Sequence, residues 1–253
     1  MKQIYKNMYK NLVSESFVIK GQEVHFSELS HFVGRKGKNF NSNLEVRLLV
    51  AGRAVNGWES FSCIDEDAFS EEAEIMYNTP LVLDSDERGP YFEGNNGNYY
   101  LSHSSFWRVT KKVLEQLTNE SYLSFTDYLA WTNLYKIAPK DSGNPTASLC
   151  KKQSSFCFDI LKKEINDFAP THILLITGWN GWIENSKPEY DFSHLFTEKG
   201  KDNPVEYVEC TTTFRLDNGR EIPVVVICRP ERKNEKDISD NVIKAFCDIH
   251  NFE

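Results

Sequence analysis

The apolar residues of this chain fall into short runs that are separated by stretches with helical spacing. Three runs predict buried strands, at residues 44–52 (LEVRLLVAG), 127–137 (DYLAWTNLYKI) and 171–178 (THILLITG). Residues 204–229 predict a hairpin, because two apolar strands flank the turn sequence DNG at 217–219. The pattern therefore predicts a sheet of mostly buried strands.

The segments between these strands carry apolar residues at helical spacing. Helices are predicted at 3–14, 104–117, 146–168 and 238–250, with a short helix at 67–77. The polar and basic residues 20–43 are predicted to be loop. Strands that alternate with helices favour one α/β domain over the whole chain, a three-layer α/β/α sandwich with a central, mostly parallel sheet.

Composition narrows the class of protein. No stretch approaches about 18 consecutive apolar residues, so no membrane span is predicted, and the lysine-rich N-terminus does not resemble a signal peptide. The six cysteines include no CxxC pair, which favours free thiols in a cytoplasmic protein over a zinc or iron–sulfur site. We expect neither a metal nor another cofactor.

The net charge of −8 is unevenly distributed along the chain. Residues 59–93 contain eleven acidic residues and one basic residue, a net charge of −10. The rest of the chain contains 28 basic and 26 acidic residues, so its net charge is only +2. We interpret the acidic segment as a solvated insertion, and the nearly neutral remainder leaves room for a basic face that binds nucleic acid.

Each predicted strand is followed by a loop with residues suited to a planar ligand. In a parallel sheet, loops at the carboxyl ends of the strands form the ligand crevice. Amides read the polar edges of a heterocycle, aromatic rings stack on it, and arginines bind an anionic backbone. The chain lacks a GxSxG elbow, a P-loop and a GxGxxG loop after a strand. The loops contribute Asn56, Trp58, Asn133, Lys136, Trp179, Asn180, Trp182, Arg229 and Arg232.

The order of these pieces resembles the uracil-DNA glycosylase superfamily over roughly residues 44–250. LLVAGRAVNGW resembles the strand and glycine-led catalytic loop of that family, and YLAWTNLYKI resembles the strand that ends in a base-reading asparagine. THILLITGWNGW resembles the intermediate strand and its glycine turn. VVVICRPERKNE resembles the final motif, and SSFWRVTKKVL resembles a helix that lies between the first two motifs in some branches.

The resemblance implies roles for particular residues. Gly52 begins the catalytic loop, Asn133 occupies the base-reading position, and Trp58 or Phe61 stacks on the flipped base. The implied activity is metal-independent hydrolysis of the N-glycosidic bond of a deaminated or modified base, with DNA or a nucleotide as partner. Nucleic-acid contacts are implied for Lys136, Asn180, Trp182 and Arg232.

The catalytic positions depart from the family pattern. The family places Asp, Asn or Glu two residues after the loop glycine, to position the attacking water, and this chain has Ala54 there, followed by Val55 instead of proline. Asn56 or Glu59 is then the candidate for orienting water. Arg229 replaces the histidine of the final motif and is the candidate for stabilising the departing base anion, because its charge is permanent.

Other functions and simpler roles fit the same residues. The chain could be a binding protein that kept the fold and lost the chemistry, with a nucleotide, a nucleic acid or a protein as ligand. It could also hydrolyse free nucleosides or nucleotides, which suits the acidic net charge. The Asn-Gly pairs could be plain turns, the tryptophans rim packing, Phe61 a core residue, Lys136 a surface charge, and the arginines solvated.

Overall fold

The computed structural model describes residues 1–54, 65–83, 101–140, 143–197 and 205–250. Five helices lie in these ranges: α1 (Lys2–Leu12), α2 (Glu66–Asn78), α3 (Ser105–Thr118), α4 (Ala147–Phe168) and α5 (Glu235–His250). The strands are β1 (Ser16–Ile19), β2 (Gln22–His25), β3 (Leu29–His31), β4 (Arg35–Lys36), β5 (Leu48–Gly52), β6 (Leu129–Asn133), β7 (Ile137–Pro139), β8 (His172–Leu175), β9 (Val208–Arg215) and β10 (Glu221–Ile227).

A six-stranded mixed sheet forms the centre of the molecule, in the order β4-β6-β5-β8-β10-β9. The four inner strands are parallel to one another, whereas β4 and β9 pair antiparallel at the two edges. Every residue of β5, β6 and β8 is buried, as the continuous apolar runs in the sequence predict. A mixed α/β fold is therefore confirmed.

Helices cover both faces of this sheet. Alternate residues of a strand point to opposite faces, and the two sets of side chains enter separate cores. Val50 and Leu174 pack in the core that contains residues of α3 and α5. Leu49 and Leu175 pack in the core that contains residues of α4. The parallel strands thus end together at one edge of a sheet that is buried on both sides.

Residues 65–83 are the described part of the acidic segment, and the short helix predicted at 67–77 is found there as α2, packed against α1. Phe69 and Ala73 of α2 are fully buried in a third core, against residues of α1 and the N-terminal strands. The exposed acids of α2 face lysines of α1, because the two amphipathic helices pack side by side. The ion pairs are Lys2–Glu71 (2.9 Å), Lys6–Asp67 (2.5 Å) and Lys10–Glu66 (3.2 Å).

The segment 20–43 was predicted as loop, and that prediction is wrong. It contains β2, β3 and β4, which pair with β1, β7 and β6 respectively. Each of these strands has only two to four residues. Two of these short strands, β3 and β4, pair with the distant strands β7 and β6. Their local sequence therefore gives little indication that they form strands.

His31 lies at the end of β3 in the aromatic part of the N-terminal core. Its ring is 4.9 Å from the ring of Phe26 and 5.2 Å from that of Phe69, between ring centroids. The side chain is fully buried, and burial lowers the pKa of His31 to about 3. The folded protein therefore holds this imidazole neutral at pH values where the unfolded chain binds a proton.

We expect the stability of the protein to fall with acidity between pH 6.5 and about pH 3, in part through His31. In that window the unfolded state binds one proton more at this site, and each such proton contributes a slope of about 1.4 kcal/mol per pH unit. The measurement is the free energy of unfolding in urea from pH 7.5 to pH 5. His31→Leu should reduce the slope of unfolding free energy against pH. The control His103→Leu, at an exposed position, should leave that slope unchanged. Equal slopes in the unaltered protein and both variants would contradict the prediction.

Candidate functional site

The carboxyl ends of β5 and β6 meet at Gly52 and Asn133. These residues are register partners in the parallel pair, and the pairing continues past the strands, where Leu134 N donates to Gly52 O at 2.9 Å. A Cβ at position 52 would lie 2.5 Å from Asn133 Oδ1, closer than any real contact. Glycine is therefore required here because the asparagine side chain lies directly against the backbone.

The side-chain amide of Asn133 is buried, and the described residues leave one of its hydrogen-bonding groups without a partner. Asn133 is 2 % exposed, and its Nδ2 has no hydrogen-bond partner among the residues that the structure describes. An unpaired buried donor costs roughly 1–3 kcal/mol. A ligand with an acceptor atom, such as a carbonyl oxygen, would recover that cost. The structure thus places the sequence-predicted pair Gly52 and Asn133 in one site.

Phe106 adds an aromatic side chain to this site. It lies in the first turn of α3, and Cε2 of its ring is 3.5 Å from the Cβ position of Gly52. The ring is half-buried. Sequence reasoning counted Phe106 among the apolar positions of the helix and missed its place beside Asn133. The sequence did hold one signal for this placement: Phe106 lies at the start of the helix that follows the first strand-end motif.

Lys136 is a buried structural residue, and the prediction that it contacts nucleic acid is wrong. Its side chain is fully buried, where Nζ donates to Glu164 Oε2 at 2.8 Å, to Thr132 Oγ1 at 2.6 Å and to the backbone oxygen of Asn133 at 2.8 Å. A buried ammonium is stable only with such partners. Lys136 therefore fixes the backbone that carries the Asn133 amide.

The rest of this turn is held by α4. Glu164 also accepts from the backbone N of Gly34 at 3.0 Å and from the hydroxyl of Thr132 at 2.6 Å. Gln153 accepts from the backbone N of Lys136 and of Ile137, at 3.1 and 2.9 Å, and donates to the carbonyl of Ile137 at 2.8 Å. Two polar side chains of one helix thus satisfy the backbone between β6 and β7, which keeps Asn133 in a single position.

A second group of residues lies on the other side of the β5 end. Arg53 Nε donates to the carbonyl of Thr177 at 2.6 Å, and its guanidinium carbon is 4.5 Å from the ring centroid of Trp182. Trp182 is packed against the core on the α4 side, whereas Phe106 is packed against the core on the α3 side. Burial lowers the pKa of Arg53, and the positive charge of Arg229 lowers it further.

The loop after β8 is a glycine turn held by two glutamates. Gly178 has φ +76°, a conformation that favours glycine. Trp179 is buried, its backbone N donates to Glu209 Oε2 at 2.7 Å, and its indole Nε1 donates to Glu184 Oε2 at 2.7 Å. Asn180 is exposed and bridges to Glu184. Trp179 is therefore part of the core, whereas Asn180 lies at the surface.

The arginines of the last loop have other described contacts than Asn133. Arg229 pairs with Glu231, with about half of each side chain exposed. Arg232 is exposed and adopts φ +61°. Within the described ranges, Arg229 makes no hydrogen bond to Asn133. Its positive charge instead lowers the pKa of Arg53. The described contacts thus form two groups, one around Asn133 and one around Arg53, and the single crevice stays a prediction.

Four predicted site residues lie outside the described residues: Asn56, Trp58, Glu59 and Phe61. Ala54 is described, and it packs against both cores at the end of β5. Across the described parts of the chain, no three His, Cys, Asp or Glu side chains are grouped so that they could hold a metal ion. No helix among those parts is long and apolar enough to span a membrane.

Comparison with known proteins adds no relative: no family model matches the chain, and no curated protein matches it.

The contact between Gly52 and Asn133 can be tested by a double-mutant cycle. Gly52→Ala should destabilise the protein by about 1–3 kcal/mol, because the new Cβ displaces the buried amide. The same change should cost much less in an Asn133→Ala background, where the clashing oxygen is absent. The measurement is the free energy of unfolding of the four proteins, and an equal cost in both backgrounds would refute the contact.

The buried ion pair can be tested by comparing the removal of one charge with the removal of both. Lys136→Met should cost about 3–5 kcal/mol of unfolding free energy, because it leaves the Glu164 carboxylate buried without its cation. The double variant Lys136→Met/Glu164→Leu should recover most of that loss, since it removes both charges. Urea denaturation of both variants at pH 7 gives the comparison, and a cost below about 1 kcal/mol for Lys136→Met alone would contradict the role.

Proposed function

We propose that this chain is a nucleobase-binding protein of the uracil-DNA glycosylase type, built as a three-layer α/β/α sandwich. The observation that carries the proposal is the buried amide of Asn133 at the carboxyl end of β6, whose Nδ2 has no hydrogen-bond partner among the described residues. Helices on both faces of a sheet with four parallel inner strands support the fold. The strand-end position of Asn133 supports the site, because ligands of such sheets bind outside these ends.

The ligand in this proposal is a base with a carbonyl group. Nδ2 of Asn133 donates to a carbonyl oxygen such as those of uracil and hypoxanthine. Phe106 offers a flat apolar surface beside the same point, on which the base stacks. A buried donor discriminates strongly, because a base that lacks the carbonyl leaves Nδ2 unpaired.

The proposed reaction is hydrolysis of the N-glycosidic bond. Negative charge develops on the departing base, so the hydrogen bond from Asn133 strengthens towards the transition state. Arg229 is the second candidate for stabilising that charge, provided that its pair with Glu231 opens. The proposal gives the orientation of water to Asn56 or Glu59.

Ala54 favours a second function, a binding protein of the same fold without glycosylase chemistry. The residue is aliphatic and packs against both cores. It can neither orient nor deprotonate a water molecule, and the family places a polar residue at this position. In this second function, Asn133 keeps its role towards the base, and the protein binds a nucleotide or nucleic acid without cleaving it.

A panel of lesions tests the proposal and separates the two functions. The protein is incubated with oligonucleotides that contain uracil or hypoxanthine, and both abasic product and binding are measured. Asn133→Ala and Asn133→Asp should each reduce activity or affinity by about 10-fold or more, because both lack the amide donor. The near-isosteric Asp variant keeps the size of the side chain, so its loss reports the donor.

The matched control is Asn166→Ala. Asn166 is half-buried near the end of α4, where it accepts from the backbone N of Asp217 at 2.7 Å. It is remote from Gly52, because this end of α4 lies beside Arg47, which precedes β5. Product that depends on Asn133 supports the glycosylase, and binding without product supports the second function. Affinity that Asn133→Asp leaves unchanged would overturn both.

A further inference from the structure

Arg53 is a half-buried arginine whose hydrogen-bonding edge is largely unused by the described part of the protein. Its Nε donates to the Thr177 carbonyl, and its guanidinium carbon lies over the indole of Trp182, 4.5 Å from the ring centroid. Among the described residues, no carboxylate lies within ion-pair distance of it, although Glu209 is nearby: a Cβ at Gly178 would lie 3.4 Å from Arg53 Nη2 and 3.3 Å from Glu209 Oε2. Glu209 accepts from Trp179 N, and Glu231 pairs with Arg229.

The arginine at the other end of β5 has a structural explanation that Arg53 lacks. Arg47 Nε donates to the carbonyl of Ala169, the C-cap residue directly after α4, at 3.0 Å, and Arg220 donates to the same carbonyl at 3.1 Å. Cations are favoured at the C-terminus of a helix, where the carbonyls carry partial negative charge. Arg53 lies at no helix C-terminus, and a second guanidinium, that of Arg229, raises the positive potential around it.

We propose that Arg53, whose guanidinium lies over Trp182 and is anchored through Nε, binds a phosphate group of the ligand. The N–H groups of a guanidinium lie in one plane as a rigid fork, which suits two oxygens of a phosphate. Arg53 directly follows Gly52, so phosphate and base lie on opposite sides of one strand end, and the sugar of a nucleotide spans them. The identity of the base rests on the proposed function, whereas the phosphate contact does not.

Isothermal titration at low salt tests this contact with four probes: inorganic phosphate, a uracil nucleoside, its 5′-monophosphate and a trinucleotide with uracil at the centre. The 5′-monophosphate or the trinucleotide, whichever places a phosphate at Arg53, should bind more tightly than the nucleoside. Arg53→Gln should weaken it by about 10- to 100-fold, the size of one lost charge-assisted contact. Arg53→Lys should recover only part of the affinity, because an ammonium cannot form the paired contact.

Two further variants keep the test independent of folding defects. Arg47→Gln is the matched control, since it removes an arginine with the same kind of backbone anchor from the far end of β5 and should leave phosphate binding unchanged. Glu209→Gln should tighten phosphate binding about 2- to 10-fold, because it removes a nearby negative charge while the side-chain oxygen still accepts from Trp179 N. A merely structural Arg53 predicts no such gain.

The probes also identify the source of the phosphate. A gain for the 5′-monophosphate that is lost in Arg53→Gln indicates a nucleotide, and the same result for the trinucleotide alone indicates a nucleic-acid backbone. Phosphate binding through Arg53 without nucleoside binding through Asn133 would leave this inference standing and overturn the proposed function. Affinity that is equal in Arg53→Gln and the unaltered protein, or absent for every phosphate-bearing probe, would overturn the inference.

Discussion

The buried ion pair between Lys136 and Glu164 is the interaction on which the candidate site depends. Both side chains have no exposed surface, and the pair joins the turn after β6 to the C-terminal part of α4. A pair of this kind adds little net stability, because the cost of removing two charges from water offsets their attraction. Its effect is positional: the ammonium binds the carbonyl of Asn133, so the strand end cannot shift without leaving a charge unpaired.

This constraint explains why Gly52 and Asn133 can approach so closely. The parallel pairing of β5 and β6 continues one step beyond both strands, through Leu134 and Tyr135. The Asn133 side chain is then directed over the only kind of residue that leaves room for it, a glycine. Precise placement of an unpaired amide is what a binding site needs, since ordering the amide during binding would weaken affinity.

The end of β5 also separates two kinds of chemistry. On the side of α3, the amide of Asn133 and the ring of Phe106 form a compact, largely apolar environment. On the side of α4, Arg53 and Trp182 present a stacked cation, with Arg229 nearby. The separation arises because consecutive residues of an extended chain point to opposite faces. A ligand that used both sides would need an uncharged ring and an anionic group joined by a short linker.

The sequence by itself determined the inner strands, the long helices and the strand-end positions of Gly52 and Asn133, because continuous apolar runs and helical spacing are local properties of the chain. It did not reveal β2, β3 and β4, whose two to four residues form strands only beside their partners. Tertiary structure alone decided that Lys136 is buried, that Phe106 lies beside Gly52, and that the charge of Arg229 acts on Arg53. The physical reason is that residue type and charge can be read directly from the sequence. Burial and strand pairing depend instead on which distant segment of the chain packs against a residue.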